Sequence, residues 1–324
     1  MTQEATARAH PNIAFIKYWG NQDEQLRIPV NSSLSMNLEG LYTETMVNWD
    51  HRLTQDSLII NSVEQSGDAL KRVQTHLSAL RNHIDGIEGH AKVISYNNFP
   101  MGVGIASSAS SFAALTLAAV SASGQQLSES TLSSLARLGS GSASRSIPTG
   151  FVEWHKGVSH ETSYAESIAT PDFWDLVDVI AVVSNTHKKV GSTEGHQSAN
   201  TSDLQLARIA NAEKRLQDCK EALLHKDFHS FATVVEEDSN LMHSIMMTSR
   251  PPLFYWQPTS IELMHLIPEW RHEGLDVCYT LDAGPNVHCI CNRIHAEEVS
   301  RRVRNISGVL DVKSAGAGRG AYLL

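Results

Sequence analysis

Asn97-Asn98-Phe99-Pro100-Met101-Gly102-Val103-Gly104-Ile105-Ala106-Ser107-Ser108-Ala109-Ser110 is the stretch on which the reading of the fold turns. Pro and Gly punctuate a tight loop, and the small residues let backbone approach a ligand closely. A strand candidate at 91–96 precedes the loop and an Ala-rich helical run follows it. The first N–H groups of such a helix, with the positive end of its dipole, make an anion site suited to a nucleotide's phosphates. The hydroxyls of Ser107 and Ser108 suit a phosphate or Mg2+. No Gly-Lys-Ser/Thr follows, so this is not a Walker loop. A small-residue turn that merely lets a helix pack on a sheet has the same composition, and the loop alone leaves both readings open.

Working outward, 12–17, 32–38, 43–49 and 57–62 read as strands, and Leu70, Val73, Leu77 and Leu80 set a helix over 67–83. Strands are predicted at 151–154, 160–168 and 176–183. The texture then changes. Helices are predicted at 201–225, 228–248, 260–272 and 296–304, with strands at 275–281 and 287–291. The pattern is α+β: a strand-rich domain over 1–185 and a mixed domain over 186–324.

At 324 residues the chain is long enough for two domains. Hydrophobic residues at 41% and charged residues at 19% exclude a largely disordered protein. Lys plus Arg number 26 against 35 Asp plus Glu, a formal charge of −9, which disfavours a broad nucleic-acid or anionic-membrane surface. No apolar run approaches the ~20 residues of a membrane span, and the first residues lack the apolar core of a signal peptide. The expectation is a cytoplasmic protein with neither nucleic acid nor membrane as partner. Cys219, Cys278, Cys289 and Cys291 read as buried structural thiols, not a disulfide framework or a zinc site.

Three charged residues stand in unusual settings. Lys17 lies inside an apolar strand-like stretch, where a lysine is expensive unless paired. Asp282 ends the run Val277, Tyr279, Leu281 and opens the turn Ala283-Gly284-Pro285. A buried Lys–Asp pair that only joins two segments fits these residues as well as a catalytic pair does. Arg145 lies in a Gly/Ser-rich segment with Ser140 and Ser142, which suits a carboxylate or phosphate clamp. An arginine pairing with a surface acid fits that segment too.

The loop 100–108 resembles the phosphate loop of the GHMP kinase superfamily. Three further segments resemble one branch of it, the mevalonate diphosphate and phosphomevalonate decarboxylases. They are Asn12-Ile13-Ala14-Phe15-Ile16-Lys17-Tyr18-Trp19-Gly20 with Asn31-Ser32-Ser33-Leu34-Ser35, Gly139-Ser140-Gly141-Ser142-Ala143-Ser144-Arg145-Ser146, and Asp282-Ala283-Gly284-Pro285-Asn286. The likeness implies a two-domain GHMP-kinase-like fold, with an ATP-binding-type first domain and a ferredoxin-like α+β second domain around one active-site cleft. It implies ATP and Mg2+ as cofactors, a phosphorylated mevalonate as substrate and a homodimer.

In that likeness Asp282 orients the substrate's 3-hydroxyl and takes its proton, Lys17 keeps Asp282 ionised, and Arg145 grips the substrate carboxylate. Tyr18, Trp19, Asn21, Arg72, Ser140, Ser142, Ser192, Thr193 and His196 would bind substrate. Asn98, Gly102, Gly104, Ala106, Ser107 and Ser108 would bind ATP, with Asn97 close to the adenine and Ser108 also on the metal.

Two departures bear on the head group. The resemblance implies a lysine directly after Tyr-Trp-Gly, where this chain has Asn21, and a methionine where it has His196. A diphosphate carries about one more negative charge than a monophosphate, and buried charges want partners. The loss of a cation therefore favours phosphomevalonate, giving isopentenyl phosphate. The alternative is diphosphomevalonate, with a cation from elsewhere in the chain. A relative that only phosphorylates mevalonate is disfavoured because Lys17 and Asp282 are both present. A non-catalytic nucleotide-binding protein of the same fold has little use for that pair.

Overall fold

The computed structural model describes residues 3–99, 107–184 and 191–324. The first half is built on two sheets. Asn12–Ile16, wholly buried, pairs antiparallel with Ser33–Asn37, which pairs in turn with Phe151–Trp154 and then Ala165–Ala169. The second sheet runs in the order Tyr322–Leu323, Gln3–Ala9, Thr43–Asp50, His90–Asn97, Ser57–Ile60, Val63–Glu64. Thr43–Asp50 alternates buried and half-buried residues, as a strand with one face on a core must. Its Val47 and Trp49 pack against Phe112, Ala113 and Leu115 of the helix Ser107–Ala122. Six alanines in that helix let it lie close to the sheet.

The second half has one four-stranded antiparallel sheet, ordered Val277–Thr280, Val287–Asn292, Leu176–Val182, Asp311–Gly316. In chain order these strands lie 2-3-1-4, the ferredoxin-like arrangement. Leu176–Val182 is its first strand and is wholly buried. A division after residue 185 would separate it from both of its partner strands.

One face of this sheet is covered by Pro258–His272 and Ala296–Arg304, through Leu263, Ile267, Val299 and Val303. The other face belongs to a core common to both halves. Ile13, Phe15 and Leu34 of the first sheet meet Leu216, Phe231 and Val235 of the helices Ala212–His225 and Phe228–Thr248, together with Ile180 and Ile290. Phe15 and Phe231 touch edge to face, 4.9 Å between centroids. That shared core presses the end of Asn12–Ile16 against the second half, and Lys17 is the next residue.

The helices at 67–83, 228–248 and 296–304 have the expected bounds. The long helix expected over 201–225 is broken into Ala199–Thr201, Gln205–Ala210 and Ala212–His225. Ser202 takes the Leu204 N–H on its hydroxyl and pairs with Thr248, so the helix restarts there. The strand expected over 160–168 begins only at Ala165, because Thr162 Oγ1 accepts from the N–H groups of Val158 and Ser159 and closes a turn. The expectations above contained neither Gln3–Ala9, Glu129–Gly139 nor Asp311–Gly316.

Candidate active site

At the junction of the two halves, Lys17 Nζ donates to Asp282 Oδ1 at 2.8 Å. The lysine side chain is 1% exposed and the aspartate 28%, so the cation is sealed and the carboxylate is open to the cleft. Burial pushes the Asp282 carboxyl up, but Lys17, with His288 and Arg145, more than offsets this and holds it down at about 2. The carboxylate is therefore an ionised acceptor throughout the neutral range.

The main chain around Lys17 is held just as firmly. Its N–H donates to Asp238 Oδ2 at 2.6 Å, and Asp238 is itself paired with Arg215 at 2.8 Å. The Lys17 carbonyl accepts from Arg208 at 2.8 Å and from Asn31 at 3.0 Å. On the other side of the pair, Leu281 N–H donates to Ser239 Oγ at 3.0 Å. His243, one turn further along the same helix, is buried against Trp256, and burial with the Lys17 charge lowers its pKa to about 3, leaving a neutral ring.

Arg145 sits in the short helix Gly141–Ser146, itself buried, with Nε on Asn12 Oδ1 at 3.2 Å and an amino group on Ser33 Oγ at 2.8 Å. Neither partner is charged. Burial brings its pKa down to about 10, and the nearby Asp282 charge works in the opposite sense. A guanidinium held by neutral groups, within the field of an aspartate that is already paired, is prepared for a carboxylate ligand.

The other end of the cleft is walled by rings. Tyr18 stacks on His196 with 4.0 Å between centroids and meets Trp154 edge to face. Its hydroxyl donates to Asn21 Oδ1, and the Asn21 amide donates to Glu24 Oε2 at 3.0 Å. His196 Nδ1 accepts from Gly20 N–H at 3.0 Å. Burial, then Arg27, lowers the His196 pKa to about 3. The ring is neutral and does not replace the charge of the lysine that the resemblance implied at position 21. Trp19 is sealed behind this wall, with its carbonyl on Gln205 and Arg208. A Cβ on Gly195 would come within 2.4 Å of the Trp19 ring, and one on Gly141 within 2.5 Å of the Tyr18 ring. Glycine at these two places is what lets the rings close the pocket.

Ser140 Oγ lies 3.2 Å from Ser108 Oγ and 3.3 Å from Ser142 Oγ, which joins the helix Ser107–Ala122 to the segment carrying Arg145. Arg72 is exposed on Gly67–His83, its guanidinium 5.2 Å from the centre of the Phe112 ring. Asn97 Oδ1 accepts from Thr43 at 2.6 Å. Asn98 uses both ends of its amide on the turn at Gly40 and Tyr42, so the structure gives it a structural job beside the one expected at ATP. Gly102, Gly104 and Ala106 lie outside the described residues. Ser192 and Thr193 open the helix Ser192–Ser198, and their side chains are outside the described residues.

The residues fit a nucleotide and its metal. The helix Ser107–Ala122 has no acidic residue in its first turn to repel phosphate. Among the described residues no cluster of three or more His, Cys, Asp or Glu could hold a metal alone. Mg2+ takes most of its ligands from phosphates and water, and the Ser108 hydroxyl is the protein group expected beside it. Sequence reasoning missed Asn12, Asn31, Ser33, Arg208, Arg215, Asp238, Ser239 and His243. Asn12, Asn31 and Ser33 stood inside the quoted motifs; the others lie on helices whose patterns show only that they face inward.

Residues 9–165 match the diphosphomevalonate decarboxylase-like N-terminal domain, and residues 178–315 the mevalonate 5-diphosphate decarboxylase C-terminal domain. The diphosphomevalonate decarboxylase of Candida albicans is 38% identical over 299 residues, 87% of this chain and 82% of the relative. The human enzyme of that name is 35% identical over 302 residues, 87% of this chain and 76% of the relative. Among solved structures, mevalonate diphosphate decarboxylase from Staphylococcus aureus superposes with a TM-score of 0.94 at 38% identity, covering 100% of this chain and 98% of that one. A complex described as "MDDEF in complex with MVAPP, AMPPCP and Magnesium" gives 0.94 at 38%, covering 100% and 99%. Fold and site together define a two-domain GHMP-kinase-type enzyme of the ATP-dependent decarboxylase class. The chain belongs to the diphosphomevalonate decarboxylase family.

Proposed function

We propose that this chain decarboxylates (R)-5-diphosphomevalonate at the expense of ATP, giving isopentenyl diphosphate, ADP, phosphate and CO2. The observation that carries the reading is the Lys17–Asp282 pair, sealed on the lysine side and open on the carboxylate side. Asp282 accepts the proton of the 3-hydroxyl as that oxygen attacks the terminal phosphorus of ATP. Lys17 keeps the carboxylate ionised and offsets charge on the transferring group. Bound Mg2+ supplies charge neutralisation on the phosphates. Asp282 passes the hydroxyl proton to the transferred phosphate; when the C3–O bond breaks, the phosphate leaves with the electron pair, and the carboxylate, ionised again, faces the cationic character at C3. The C1–C2 bonding electrons then form the C2–C3 double bond, and Arg145 holds the carboxylate until it departs as CO2.

The relatives' names, at 35–38% identity, favour the diphosphate over the monophosphate expected from Asn21 and His196. A monophosphate substrate is the second reading, and one observation favours it: Glu24 lies against Asn21, so a carboxylate stands where a cation was implied. Incubation with ATP and each substrate, followed by CO2 release and 31P spectra of the products, separates them. The expected kcat/KM for the diphosphate exceeds that for the monophosphate by at least about tenfold. The opposite ratio selects the second reading, and CO2 from neither removes both.

A further inference from the structure

The strands Asn21–Asp23 and Ile28–Pro29 form a small hairpin beside the ring wall of the cleft, and Arg27 stands at its returning corner. Its φ of +49° is left-handed backbone, which non-glycine residues seldom adopt and which a fixed side-chain position can justify. Arg27 Nε donates to the carbonyl of Leu138 at 3.0 Å, two residues before Ser140. That bond fixes the plane of the guanidinium and leaves its two amino groups without a partner among the described residues.

A second arginine reaches the same patch. The guanidinium of Arg72 lies over Phe112, and Phe112 packs against Gly139, where a Cβ would come within 2.1 Å of the ring. Arg27, Leu138, Gly139, Phe112 and Arg72 thus form one continuous set of contacts. Among the described residues no carboxylate pairs with either arginine. The charge of Arg27 is felt throughout this end of the cleft, adding to the lowered pKa of His76, His196 and Arg72, with withdrawal from water the larger cause in each. Two unpaired guanidiniums that repel one another are an arrangement a polyanion relieves.

We propose that Arg27 is the specificity-determining cation for the substrate head group, binding the terminal phosphate of the diphosphate through its two unengaged amino groups, with Arg72 opposite. The proposal rests on the reading of the substrate as a phosphorylated mevalonate. It assigns to the hairpin corner the charge that position 21, an asparagine, does not supply.

The test uses Arg27→Asn, since asparagine tolerates left-handed backbone and the variant removes the charge without a new backbone penalty. The KM for diphosphomevalonate is expected to rise at least about tenfold more than the KM for phosphomevalonate. Arg27→Lys should keep part of the preference, and Arg27→Asn combined with Asn21→Lys should restore most of it. Calorimetry with inorganic pyrophosphate and with phosphate gives a second readout independent of turnover. Pyrophosphate affinity should fall about tenfold or more in Arg27→Asn, and phosphate affinity much less. Equal effects on the two substrates, or no effect on pyrophosphate binding in a variant whose melting temperature is unchanged, would overturn the proposal. If the wild-type protein releases CO2 from neither substrate, the proposed reaction fails, while a selective loss of pyrophosphate binding still supports Arg27 as the anion site.

Discussion

The two ends of the cleft handle charge in opposite ways. At the proposed reacting end Lys17 is sealed and paired with Asp282, and its main chain is held by Asp238, Arg208 and Asn31. At the end that we assign to the head group, Arg27 and Arg72 have no acidic partner among the described residues, and Arg72 is exposed. A group that must keep one protonation state through a reaction needs its compensating charge built in. A group that must capture an anion from water needs that compensation withheld until the ligand brings it. Arg145 lies between these cases: buried like Lys17, yet held only by the neutral Asn12 and Ser33.

The sharpest way to break this contrast is Asp282→Asn. Turnover should fall about 10^2–10^4-fold, with nucleotide binding retained by equilibrium titration; near-normal turnover would remove the base. Lys17→Met comes next. Asp282 is held down at about 2, below its ordinary 3.8, so it is ionised at every pH above about 4 and adds no acid limb to the wild-type profile near pH 5. Without Lys17 the burial that pushes the carboxyl up is opposed only by His288 and Arg145, and an acid limb should appear in kcat/KM between pH 4.5 and 7.5. A flat profile in that variant would contradict the pairing argument.

Arg145→Gln tests the middle case. It removes a buried cation with no acidic partner, so the melting temperature should hold or rise, while KM for the mevalonate substrate increases about tenfold or more. A large loss of thermal stability would show that Arg145 is structural. The smallest effect lies at His155, the residue after Trp154. His155, between Glu153 and Glu166, has its pKa raised to about 9 by its bond to Glu153. A raised histidine stabilises fully below its unfolded value near 6.5 and loses that contribution as pH climbs through 9. The melting temperature should therefore decline slightly between pH 7 and 9.5 in the wild type and less in His155→Gln, which differential scanning fluorimetry will show.

Local pattern made much of this molecule legible. Helices 67–83, 228–248 and 296–304 could be bounded because their apolar positions recur at helical spacing against polar flanks. Gln3–Ala9 could not, since QEATARA carries almost no hydrophobic signal and gains its strand from pairing with Thr43–Asp50. Glu129–Gly139 hides in a serine-rich run that holds its place through the Ser128 cap and buried Ser133 and Ser134. In the site, Lys17, Asp282 and Arg145 stood out because each is a charge in an apolar or glycine-rich setting. Arg27 did not, because an arginine in a polar turn looks like any solvated residue until the fold brings Leu138 and the ring wall to it. The neutrality of His196 was also beyond the sequence, for it follows from burial between Tyr18 and Trp19.

Asp238 takes the N–H of Lys17 and its neighbour Ser239 takes the N–H of Leu281, so consecutive residues of one helix grip the segments that carry both members of the reacting pair. The helix Phe228–Thr248 serves as a jig for two strands that are remote in sequence. A single residue inserted upstream within it would turn both grips by about 100° together, so the spacing of the pair is either kept or lost as a unit. Attempts to retune this chemistry by redesign should therefore leave the register of that helix alone and alter the head-group hairpin.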